Sequence, residues 1–151
     1  PVEVDTAEAL RDPASAGRRA AARARERLAE TGLVMLASER RRLAEHNTLD
    51  HGEKVMTALT TAVAELADAV EVVVAKGGIT SSEVARTGLG AASGLVLGQV
   101  LPGISVWDIE PRPGRHQLYV VVPGNVGGPE TLAEVLRAVR VEGVERVSEP
   151  G

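Results

Sequence analysis

Ala75-Lys76-Gly77-Gly78-Ile79-Thr80-Ser81-Ser82-Glu83 sets a lysine, two adjacent glycines and a run of hydroxyl side chains between the β-branched Val72–Val74 and a segment of helical character. The chemistry open to such a stretch is anion binding. Glycine lets another molecule approach the main chain and tolerates positive φ, and the first turn of a helix offers unpaired N–H groups with a partial positive charge. Thr80-x-x-Glu83 fits a capping box, which predicts a helix start near Thr80 and occupies some of those donors. The lysine precedes the glycines, so the G-x-x-x-x-G-K spacing of a Walker A loop is missing. Taken alone, the stretch fits a phosphate site and a plain strand-to-helix turn equally well. Lys76 is either an ammonium beside that site or a side chain that snorkels at a strand end.

Pro123-Gly124-Asn125-Val126-Gly127-Gly128-Pro129-Glu130 repeats the design of strand, glycine loop and helix. Gly124, Gly127 and Gly128 free the backbone, and Asn125 adds an amide and a tolerance for left-handed geometry. Ligands of open α/β sheets gather at the carboxyl ends of strands, so the two loops are expected to face one crevice.

Other candidate sites weigh less. Gly88 and Gly90 imitate a dinucleotide fingerprint, but Gly94 comes one residue late and a strand-like run follows, so Gly88 reads as a helix C-cap. His46 and His51 lie in a polar stretch with no third ligand in sight, and His116 adjoins a turn; no metal site is expected. The arginines of Arg18–Arg27 and Arg40–Arg42 are interleaved with Glu and Ala, as on a solvated helix face. Ser38 ends an apolar strand and is a candidate for the crevice or for a helix cap. Trp107 and Asp108 are expected to mark a sheet edge.

The elements that must position these residues follow from composition and periodicity. The 151 residues suffice for one domain with one compact core, burying roughly 70% of the surface its unfolded chain exposes. With no Phe, one Trp and one Tyr, that core must be built from Ala, Val, Leu and Ile, and base stacking is effectively unavailable. A net charge of −4 opposes a nucleic-acid surface, and the absence of Cys excludes disulfides, Cys-ligated zinc and a Cys nucleophile. No apolar run is long enough to span a bilayer, and a cytoplasmic location is expected. The chain starts at Pro1 and enters a strand at once, as a piece of a longer protein would.

Strands are predicted at 2–4, 33–38, 72–75, 95–101, 104–109 and 117–122, with helices at about 14–30, 52–69 and after Pro129. Val55, Met56, Leu59, Val63, Leu66, Ala67 and Val70 mark the apolar face of the second long helix. The pattern predicts an α/β fold, a mixed sheet flanked by helices in a single domain over 1–140, with a disordered tail over 141–151.

"AKGGITSSEVARTGLGAASGLVLGQVLPGISVW" and "LYVVVPGNVGGPETLAEVL" together resemble the C-terminal nucleotide-binding domain of the four-carbon acid sugar kinases, over most of the chain from about Leu33 to Val139. The resemblance implies an ATP- and Mg²⁺-dependent kinase acting on tetronate-type acids. It places nucleotide contacts at Gly77, Gly78, Ile79 and Thr80, and at Gly124, Asn125 and Gly127. Val126 stands where many relatives carry an aromatic residue. The catalytic residues and the sugar-acid site belong, on this resemblance, to an N-terminal domain, and a nucleotide-contacting serine motif would precede Pro1. The competing readings are a regulatory domain binding a small anion through the same loops, and a structural module in which both loops are only turns.

Overall fold

The computed structural model describes residues 1–39 and 49–148, with side chains through Val139. His46 and Arg40–Arg42 lie outside the described residues. The described chain divides into two compact units, Pro1–Glu71 with Ser82–Ala91, and Val72–Ser81 with Ala92–Gly151. Each has its own hydrophobic cluster where a single core was expected.

In the first unit, β1 (Val2–Val4) leads through α1 (Thr6–Arg11) and α2 (Pro13–Thr31) to β2 (Leu36–Ser38). β1 and β2 pair in parallel, Val2 with Leu36 and Val4 with Ser38. The crossover is punctuated by side chains. Asp5 accepts from the Glu8 N–H at 2.9 Å and Asp12 from the Ser15 N–H at 3.1 Å, and Pro13 fits the first turn of α2, where its missing N–H leaves nothing unpaired. β2 is shorter than predicted, because Leu33 and Met35 remain 42% and 48% exposed rather than entering a buried strand.

α3 (Leu49–Leu66), extended by a 3-10 turn over Ala67–Ala69, packs on α2 through small residues. Ala16, Gly17, Ala20, Ala21 and Ala24 meet Ala58, Ala62 and Leu66. The face of α3 is therefore centred on Ala58 and Ala62, and of the larger residues predicted there Leu66 is fully buried while Val55 and Leu59 pack only part-buried against the cluster. Small residues let two helix backbones approach closely, so burial is dense without aromatics. Arginines predicted on a solvated face partly do more: Arg23 donates to the Glu3 carbonyl and Arg25 to that of Glu65, each at 2.6 Å.

The second unit is a four-stranded mixed sheet in the order β3-β6-β5-β4, formed by β3 (Val72–Lys76), β4 (Gly94–Leu101), β5 (Ile104–Arg112) and β6 (Arg115–Val122). β3 runs parallel to β6, and the other pairs are antiparallel. Pro102-Gly103 and Pro113-Gly114 make the two hairpin turns, Pro fixing the first turn position and Gly the second. The second turn is so short that β5 and β6 extend beyond the predicted 104–109 and 117–122. β5 is thus an interior strand: Trp107 and Asp108 do not mark an edge, and Trp107 is paired to Val96 on one side and Tyr119 on the other. Ile104, Val106, Val120, Val122 and Val135 form the core, with Leu132 and Val139 of α5 (Thr131–Ser148) packed on it.

Between β3 and β4 the chain forms α4 (Gly78–Glu83), then a π-turn over Val84–Gly88. Gly88 is not the left-handed cap; Gly90 is, at φ 72°, while a Cβ on Gly88 would press on Val63 at 3.2 Å. No helix of the described residues is long and apolar enough to cross a membrane.

The helix packing gives a paired test. An added Cβ at Gly17 would sit 2.5 Å from the Ala58 carbonyl oxygen, a backbone atom that cannot rotate aside. Overpacking of this kind costs about 1–3 kcal/mol against a helix-propensity gain of at most about 1 kcal/mol, so Gly17→Ala is expected to lower the thermal midpoint by a few degrees. Gly52→Ala in α3, with nothing within 4 Å, is expected to raise it slightly. Thermal unfolding followed by circular dichroism checks both signs.

Candidate anion-binding site

β3 and β6 end at the same level. Their register closes with Lys76 opposite Val122, and the next N–H, that of Gly77, donates to the Val122 carbonyl at 2.8 Å. Parallel pairing therefore delivers the two glycine loops side by side. A Cβ on Gly124 would stand only 3.8 Å from the Gly77 Cα.

Gly77 takes φ 98°, which turns the chain straight from strand to helix. Its carbonyl receives the Ser81 N–H at 2.9 Å and the Ser81 hydroxyl at 2.6 Å, so α4 starts at Gly78, two residues before the predicted Thr80. Gly78 itself keeps an ordinary φ, and a Cβ added there would meet nothing within 4 Å. No capping box forms, because Thr80 lies inside the helix and the Glu83 carboxylate accepts from the Thr87 hydroxyl at 3.0 Å instead. The N–H groups of Gly78, Ile79 and Thr80 consequently have no acceptor among the described residues. The capping side chain that counted against anion binding is not there. Ile79 is 78% exposed, and Lys76 is exposed at the strand end with no ion pair among the described residues.

The second loop closes by a turn, with the Val126 N–H donating to the Pro123 carbonyl at 3.1 Å. Gly127 follows at φ 80°, where a Cβ would overlap the Thr131 side chain. Gly128 N–H donates to Thr131 Oγ1 at 2.8 Å while Thr131 N–H returns to the Gly128 carbonyl at 3.1 Å. That reciprocal pair fixes the start of α5 at Thr131, so Pro129 precedes the helix rather than opening it. The N–H groups of Gly124, Asn125 and Gly127 have no acceptor among the described residues. Asn125 is exposed, whereas Val126 packs on the core of its unit.

The remaining candidates have partners of their own. Ser38 ends β2 in the first unit, paired with Val4. His116 faces Asp108 at 3.1 Å, and the described residues contain no group of three or more His, Cys, Asp or Glu that could hold a metal. One contributor escaped the sequence: Tyr119 on β6, 3% exposed, donates its hydroxyl to the Ser81 carbonyl at 2.6 Å. Burial pushes that hydroxyl's pKa well above the usual tyrosine range, so it stays a donor. Its only sequence signal is that it is the sole tyrosine, set in an alternating strand.

Over residues 1–132 the sequence matches the family described as the nucleotide-binding C-terminal domain. The chain belongs to that family. Both glycine loops fall within the matched span, and the family is the one named by the sequence resemblance. Among solved structures, the fold is similar to a Haemophilus influenzae protein at TM-score 0.73 and 14% identity, covering 89% of this chain and 33% of that one. It is also similar to a Bordetella bronchiseptica protein described as a domain of unknown function, crystallised as a domain-swapped dimer with bound citrate, at TM-score 0.67 and 22% identity over 91% of this chain and 34% of that one. The chain thus spans about a third of the length of these structures. No curated protein matches it.

The two adjacent glycines have different duties, and substitution separates them. Gly77→Ala forces a side chain into left-handed φ and is expected to cost about 1–2 kcal/mol, a few degrees in the melting midpoint. Gly78→Ala meets neither strain nor contact and is expected to leave the midpoint unchanged or slightly higher. Equal losses at the two positions would contradict this assignment.

Proposed function

We propose that the paired loops hold the phosphates of ATP, and that the chain is the nucleotide-binding part of a kinase that phosphorylates a four-carbon, tetronate-type sugar acid. The observation that carries the reading is the juxtaposition of two glycine loops at the ends of parallel neighbours, each leaving backbone N–H groups without acceptors among the described residues, in a chain of a nucleotide-binding family. Gly78, Ile79 and Thr80 donate from one side, Gly124, Asn125 and Gly127 from the other, and Lys76 adds a positive charge. Such donors suit phosphate oxygens, since charge-assisted hydrogen bonds to fixed amides need no reorganisation. Bound ATP supplies the transferable phosphoryl group. This chain's residues bind and orient it; the sugar acid is held by a separate N-terminal domain. Mg²⁺ is carried on the phosphates and water rather than in a protein cage, as is usual for that ion. With no aromatic residue in either loop, the base packs on aliphatic groups, Ile79 among them. A cytoplasmic setting, where ATP is at hand, goes with this reading.

Thermal shift tests it. At a hundred times its Kd a ligand adds about 2.7 kcal/mol to the folded state, so saturating ADP or ATP with Mg²⁺ is expected to raise the midpoint by roughly 5–10 °C. Inorganic phosphate and sulfate should give far less, because a general anion nest would respond to them almost equally. Gly78→Asp places a carboxylate among the donors and is expected to abolish the shift while circular dichroism stays native. A midpoint indifferent to millimolar ADP, or a folded Gly78→Asp variant that binds as the parent does, would overturn the proposal.

A further inference from the structure

We infer that Tyr119 and Ser81 are positioning residues that set the place of the first glycine turn, acting through its backbone. The inference rests on the phosphate reading of that turn. Tyr119 alternates on β6 with Leu118 and Val120, so its ring leaves the opposite face of the sheet from the valine core. Its hydroxyl reaches the carbonyl of Ser81, in α4. Shortly beyond, the helix widens: Leu89 N–H donates to the Val84 carbonyl, five residues back. A change of pitch displaces the N–H groups that ordinary helical carbonyls would meet, and a π-bulge of this kind recurs beside functional sites. The phenol supplies a donor in that region.

Ser81 then binds back along the chain. Its N–H and its hydroxyl both donate to the Gly77 carbonyl, and the hydroxyl also lies 3.4 Å from the Ala75 carbonyl. A continuous line of hydrogen bonds therefore runs from β6 through Ser81 to Gly77, whose own N–H returns to β6 at Val122. The turn is clamped to one strand at both of its ends. α4 spans only Gly78–Glu83, too short to hold its own place, since helices of so few turns are marginal without tertiary support. Ser81 and Tyr119 are both buried, at 6% and 3% exposure, where a hydrogen bond is strong and an orphaned carbonyl costly. Loosening this line moves the N–H groups of Gly78, Ile79 and Thr80 together, and donors displaced by about an ångström lose much of their effect.

Two variants test the assignment in the full chain. Tyr119→Phe keeps the ring and removes the donor; Ser81→Ala keeps the carbonyl that Tyr119 meets and removes the hydroxyl bond to Gly77. ADP affinity is measured by calorimetry well below the melting midpoint, and amide hydrogen exchange is read residue by residue. Tyr119→Phe is expected to weaken ADP binding about tenfold and Ser81→Ala about threefold, the scale of one buried hydrogen bond or part of one. Exchange should quicken over 81–83, whose amides are bonded in the parent, while Val120 and Val122 stay protected, a local response that general loss of stability would not give. If Tyr119→Phe fails to fold, Ser81→Ala carries the test alone. Parental affinity in a folded variant, or unchanged exchange over 81–83, would overturn the role of these residues. A parent chain that binds no ADP would overturn the phosphate reading first, and this role with it.

Discussion

The structure of the site depends on one interaction, the parallel pairing of β3 with β6 in a register that ends at Lys76 and Val122. These strands are distant in sequence, and each is followed by a glycine loop and a helix. Parallel pairing alone would bring both loops to the same end of the sheet; the shared register brings them to the same level. The Gly77 N–H then makes one more bond to β6, and Gly77 and Gly124 come close enough that side chains at both would crowd. Slip this register by one residue and the valines of β3 change faces, so the core of the unit and the geometry of the loops are specified by the same alternation.

The core that enforces the register is aliphatic. Val120 and Val122 of β6, Ile104 and Val106 of β5, and Val135 of α5 are its buried members. In the first unit the same economy takes another form, with alanine and glycine faces that let α2 and α3 approach at backbone distance. A chain without phenylalanine gains its packing density from short, β-branched and small side chains, which have few rotamers to lose. Against that background the one tyrosine stands apart: its buried hydroxyl, like that of Ser81, is spent on the backbone around the first glycine loop.

Much of this was legible from the residues. Alternation and β-branching located the six strands of the described residues, and the glycine runs marked where β3 and β6 give way to loops. What was not legible involved contacts across the chain. A capping box at Thr80 and Glu83 is a sound local inference, but Gly77's positive φ and the two hydrogen bonds that Ser81 donates to its carbonyl start the helix earlier. The left-handed glycine falls at Gly90 because a π-turn lengthens the helix, and nothing in the local sequence announces that extra width. Trp107 belongs to an interior strand because β4 returns outside β5, a matter of pairing rather than composition. The small-residue face of α3 was read as its larger neighbours, since Ala58 and Ala62 carry little hydrophobic weight until Gly17 and Ala20 are known to oppose them.

The central claim is that both loops form a single phosphate cradle. Amide chemical-shift mapping of the isotopically labelled chain during an ADP titration tests it most directly. The account predicts shifts at Gly78, Ile79 and Thr80 and at Gly124, Asn125 and Gly127 that saturate together on one binding curve. Shifts confined to one loop, two curves with different affinities, or a response elsewhere with both loops silent would contradict it.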